Sequence, residues 1–113
     1  MQRRILLVEH DRRAALAMSR TITRAGDHVV GRATGVRDAL RKATALGAEL
    51  LLVDVAIASD AFASLSVPVL LLADRTSHDL ERIRGPHVAL DVGAPELAVM
   101  IELLCRDGTD ARV

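Results

Sequence analysis

Aromatic side chains are almost missing from this chain: Phe62 is the only one, and there is no tryptophan or tyrosine. The core must therefore be built from Leu, Val, Ile, Ala and Met, and the stacking platforms used by most single-strand nucleic-acid binders are lacking. Cysteine is equally scarce. Cys105 alone supports neither a disulfide framework nor a four-ligand zinc site, which sets a reduced, cytoplasmic compartment as the expectation. Lying near the apolar stripe of the last predicted helix, it reads as a buried structural thiol. Charge of one sign is not in excess: fifteen basic residues balance fifteen acidic ones, so bulk charge singles out no polyanionic partner. No long hydrophobic run occurs. The stretch after Arg3 and Arg4 holds four apolar residues, too few for a signal peptide or a spanning helix, and no membrane association is expected. Lysine, finally, does not occur after Lys42.

What is present is a set of short apolar runs that end on acidic residues. Glu49-Leu50-Leu51-Leu52-Val53-Asp54 is the clearest. A continuous run of this kind suits a strand covered on both faces of a parallel sheet. An ionised Asp is costly inside such a strand, so Asp54 belongs at its C-terminal end, the edge where open α/β sheets place their chemistry. Ile5-Leu6-Leu7-Val8 repeats the pattern and ends on Glu9, His10 and Asp11.

Between these runs the spacing turns helical. Ala15, Met18, Ile22 and Ala25 share one face, and Gly26-Asp27 supplies a stop; Val36, Ala39, Leu40, Ala43 and Leu46 share another, with Gly47 just beyond. Residues 28–33 read as a second strand and residues 67–73 as a fourth, with Pro68 tolerated at its beginning. Residues 58–66 have room only for a short helix or turn, with Phe62 and Leu65 facing inward. Residues 77–84 read as a short polar helix capped by Thr76 or Ser77, residues 88–92 as a weak fifth strand, and Pro95 opens a last helix with Leu97, Ile101 and Leu104 as its stripe. The expected architecture is one α/β domain: (βα)5, doubly wound and flavodoxin-like, five parallel strands with helices on both faces and a shortened third helix. The core spans residues 4–105, and residues 106–113 read as a frayed polar tail.

In this order and spacing, the chain from Arg4 to Leu104 resembles the receiver domains of two-component response regulators. The resemblance is carried by Ile5–Val8 with its acidic end, the passage Gly26–Ala33, the helix Val36–Leu46, Leu51–Asp54, Pro68–Leu72, and Gly85 before the last strand. It implies that Asp54 occupies the position that accepts a phosphoryl group from a histidine kinase. It implies that Glu9 and its neighbours His10 and Asp11 form an acidic pocket, with Glu9 and Asp54 holding a Mg2+ ion. Ala56 would offer the ion its backbone carbonyl.

The departures from the family are as informative. His10 stands where a second acid is expected. Ala73 takes the place of a switch hydroxyl, and Val92 aligns with a phosphate-binding lysine that no register can recover. A carboxylate attacking a phosphoryl dianion needs positive charge around the transferring oxygens, and each missing group of this type is worth a few kcal/mol. The residues thus point to an atypical receiver, or pseudo-receiver, that is not an enzyme. It is expected to work through contacts with a histidine kinase, phosphotransfer protein or output protein. The resemblance implies a contact face made by the fourth helix, fifth strand and last helix, with the last helix around Leu97, Met100 and Leu103 as an expected homodimer face. A phosphorylatable stand-alone receiver acting as a phosphate shuttle or sink is the alternative. A flavodoxin-like ligand-binding domain is a further one, disfavoured because no Gly-rich phosphate cradle follows the first two strands. No helix-turn-helix follows the βα units, so no nucleic-acid partner is expected. His28, His78 and His87 show no metal-ligand spacing.

Overall fold

The computed structural model describes residues 2–73, 83 and 85–110, with side chains through residue 106. Its elements are β1 (Arg4–Val8), α1 (Arg12–Arg24), β2 (His28–Ala33), α2 (Val36–Ala45), β3 (Leu50–Asp54), a short 3-10 helix (Asp60–Ser64), β4 (Val69–Ala73), β5 (His87–Ala89) and α3 (Ala94–Asp110). All strand pairings are parallel, in the order β2-β1-β3-β4-β5. The expected polar helix at residues 77–84 falls, but for residue 83, outside the described residues.

The apolar runs are continuous because both faces of the sheet are covered. Ile5 and Leu7 of β1, Leu50 and Leu52 of β3, and Leu70 and Leu72 of β4 point to one side, where they meet Met18 and Ile22 of α1 and Leu97 and Ile101 of α3. The intervening residues Leu6, Val8, Leu51 and Val53 point to the other side, against Ala39 and Ala43 of α2 and Phe62 of the 3-10 helix. Each large side chain removed from water in this way stabilises the fold by about 1.5–3 kcal/mol.

Both of the first two helices stop in the same manner. Past α1, Gly26 takes a φ of +94°, and the amides of Asp27 and Gly26 return to the carbonyls of Ile22 and Thr23. Past α2, Gly47 (φ +62°) allows Ala48 and Gly47 to bond Ala43 and Thr44. This paired closure needs a left-handed residue that glycine adopts without penalty. Gly31 has a different reason: a Cβ there would lie 2.7 Å from Cδ1 of Leu46, so β2 passes close beneath the end of α2.

Two boundaries and the burial of one residue differ from the sequence reading. β5 covers His87–Ala89 and not residues 88–92, because the chain turns at Leu90 and Asp91 and the amide of Val92 folds back to the carbonyl of Ala89. α3 runs on to Asp110, where a frayed tail was expected from Arg106. Arg106 itself bonds Glu102 one turn earlier, a spacing that supports the added turn. Leu97, expected in the exposed mixture of the last helix, is fully buried; the exposed apolar residues of α3 are Val99 and Leu103.

The third connection is reduced to the 3-10 helix, as its length required. Beside it lies a groove of about 930 Å3 lined by Val55, Ala58, Phe62, Leu65, Val69 and Leu71 among others.

Candidate functional site at the carboxyl edge of the sheet

β1 and β3 are adjacent, so their C-terminal ends deliver Glu9 and Asp54 to one point on the sheet edge. Glu9 continues the β1 ladder through its amide, which bonds the carbonyl of Ala33 at 3.0 Å. Its side chain turns inward and is only 2% exposed. One carboxylate oxygen, Oε1, accepts the amide of Asp11 at 3.0 Å. Asp54 ends β3 half-buried, and its Oδ1 accepts the amide of Ala56 at 3.0 Å.

His10 closes the group. Its Nδ1 lies 3.6 Å from Oε1 of Glu9 and 3.6 Å from Oδ2 of Asp54, while most of its ring faces solvent. One ligand atom from each of Glu9, His10 and Asp54 lies within 4.8 Å of the other two. Burial pushes the Glu9 carboxyl above its ordinary value, and the nearby Asp54 carboxylate adds to that; the Asp11 amide and His10 pull the other way. The cause is plain: a carboxylate removed from water beside a second carboxylate resists ionisation.

Asp11 plays another part. Its carboxylate caps α1, accepting the amides of Arg13 and Ala14 at 2.9 and 3.2 Å. Those two bonds hold its carboxyl below the ordinary range. The residue reaches the pocket through its backbone amide, not its side chain. An acidic residue before a helix is an N-cap signal that the resemblance overrode.

Arg32, at the end of β2, is the residue sequence reasoning missed. Its Nε donates to the carbonyl of Glu9 at 2.9 Å and its Nη2 to that of His10 at 3.0 Å, so it fixes the backbone that carries both side chains. Lys42 of α2 braces it in turn, donating to the Arg32 carbonyl at 2.7 Å and pairing with Asp38 at 3.1 Å. The signal in the sequence was slight: a lone cation at the end of the strand next to an acidic loop.

The other half of the edge is apolar. Ala73 ends β4 almost fully buried, and its carbonyl accepts the amide of Leu90 at 3.1 Å. Leu90, just past the last ladder pair Ala73–Ala89, is partly exposed. Val92, assigned to this spot in the sequence reading, lies beyond the turn and packs against the core. Thr76 and Ser77 lie outside the described residues. Among the described residues, no lysine or arginine side chain pairs with Glu9 or Asp54.

No protein-family model matches the chain, and no curated protein matches its sequence. Solved structures do. The signal receiver domain of a modulated diguanylate cyclase from Desulfovibrio desulfuricans G20 superposes with a TM-score of 0.80 at 20% identity, over 96% of this chain and 98% of that one. The receiver domain of NarL from Mycobacterium tuberculosis gives 0.74 at 18% identity, over 93% and 97%. A CheY-like receiver domain protein from Methanospirillum hungatei JF-1 gives 0.72 at 15%, over 98% and 99%. The chain has the fold of response-regulator receiver domains. Among the described residues no helix is long and apolar enough to cross a membrane.

Proposed function

We propose that this receiver-fold chain is an atypical signalling domain of a two-component or phosphorelay system, with Asp54 at the phosphoacceptor position and with protein–protein contact as its mode of action. The observation that carries the reading is the contrast along the sheet edge: Asp54 stands beside the buried Glu9, while β4 ends on Ala73 and β5 on Ala89 with Leu90 next to it. A carboxylate can attack a phosphoryl group quickly only where donors and cations surround the transferring oxygens. Here the nearby basic side chain is an imidazole, and the β4 and β5 ends bring alanines followed by a leucine. The rate of phosphoryl transfer is accordingly low, and the domain is not an enzyme. A histidine kinase, phosphotransfer protein or output protein is the partner class, and Val99 and Leu103 on α3 offer it exposed apolar surface.

The donor set also departs from what Mg2+ takes. Two carboxylates remain, but the third group converging on the site is a ring nitrogen, whereas Mg2+ is held by oxygen. The test is incubation with acetyl phosphate and Mg2+ followed by intact mass. No phosphoryl adduct is expected on the wild-type chain. An adduct that disappears in Asp54→Asn would replace this reading with a phosphate shuttle or sink.

A further inference from the structure

The geometry points to a metal preference: we infer that Glu9, His10 and Asp54 bind a borderline divalent ion of the zinc, cobalt and nickel class ahead of Mg2+. The first support is distance. A four-coordinate ion with N and O donors about 2.0–2.2 Å away sets those donors roughly 3.4 Å apart. His10 Nδ1 already lies 3.6 Å from an oxygen of each carboxylate, so little movement is needed. The second is chemical type. One imidazole with two carboxylates suits zinc-class ions, while Mg2+ selects oxygen ligands and keeps several waters. Three protein ligands also leave a fourth position for water or a partner's group.

The third support is electrostatic. Glu9 is 2% exposed, its side chain takes one backbone amide, and its neighbour in the site is a second carboxylate. A bound dication offsets both charges, and among the described residues no lysine or arginine side chain does so. The fourth is preorganisation. Arg32 grips the carbonyls of Glu9 and His10, fixing two of the three ligands on one rigid segment before any ion arrives. Its guanidinium is thereby spent on carbonyls and leaves the carboxylates to the ion.

This inference concerns the site of the signalling reading but does not require Asp54 to be phosphorylated, so the two can fail separately. The probe is Co2+, whose visible absorption reports its coordination, added to the full chain at neutral pH with and without a large excess of Mg2+. One equivalent should bind with a ligand-field band, be displaced by Zn2+, and resist the Mg2+ excess. His10→Ala, at an exposed side chain that circular dichroism should show to be folded, should weaken binding by at least about tenfold. His10→Asp should restore competition by Mg2+. His87→Ala and Cys105→Ser should change nothing. The inference is overturned if no band forms, if His10→Ala leaves the band intact, or if Mg2+ competes on equal terms with the wild-type chain.

Discussion

The carboxyl edge of the sheet has two halves that follow opposite rules. At β1 and β3 the strands end in Glu9, His10 and Asp54, with backbone amides on both carboxylates and an arginine reaching across from β2. At β4 and β5 the ladder ends in Ala73 and Ala89, followed by Leu90, and none of the three offers a side-chain donor or charge. Both halves belong to one parallel sheet, so the difference lies in the side chains at the strand ends. One half keeps groups that are costly to bury, and the other has only groups that cost nothing. A buried carboxylate such as Glu9 persists against its own desolvation, and this persistence argues for a role in binding rather than in stability.

The largest expected effect comes from making the apolar half polar. Ala73→Ser combined with Leu90→Lys should bring labelling by acetyl phosphate from undetectable to measurable, since one well-placed donor to a developing oxyanion is worth about a hundredfold or more. Ala73→Ser with Val92→Lys should not, because Val92 lies past the turn and packs against the core. Mass spectrometry over a time course separates the two. Equal gains would place the strand end at Val92 and remove the contrast.

Next in size, Arg32→Ala releases the carbonyls of both Glu9 and His10. Co2+ affinity should fall about tenfold, in line with the loss of an outer-shell support. Asp11→Ala should do the reverse: it removes the cap of α1 and costs about 1 kcal/mol in denaturant unfolding, yet leaves Co2+ binding in place. Loss of binding in that variant would put Asp11 back among the ligands.

The smallest effect is a pH dependence. In the folded chain the Glu9 carboxyl lies above its ordinary value of 4.5. Its contribution to stability is therefore complete below that value and is lost as pH rises through the folded one. Metal-free protein in EDTA should show this decline in its thermal midpoint. Glu9→Gln should flatten the curve and raise the midpoint at neutral pH, while abolishing any rise on adding Co2+.

Much of this molecule can be read from the chain alone. The runs at Ile5–Val8 and Leu50–Val53 specify buried strands because every residue must be apolar when both faces are covered. Gly26 and Gly47 mark where helices end because the closure requires a left-handed residue. The placement of Asp54 at a strand end followed from the cost of burying charge. These are local rules, and local sequence carries them.

The rest depended on register and on contacts across many residues. The sequence put Glu9, His10 and Asp11 together as one pocket; the fold sends the Asp11 carboxylate to the helix and the His10 ring toward Asp54, a residue from a strand two βα units away. The ladder ends at Ala89, with Leu90 and not Val92 beside the strand end, because the β5 strand is three residues long, a length fixed by its pairing with β4. Arg32 became a structural part of the site only when β2 was laid beside β1. Spacing along the chain fixes which elements form and which face each buries. It cannot fix which side chains meet at the sheet edge, because that is decided by how parallel strands, joined only through their helices, align against one another.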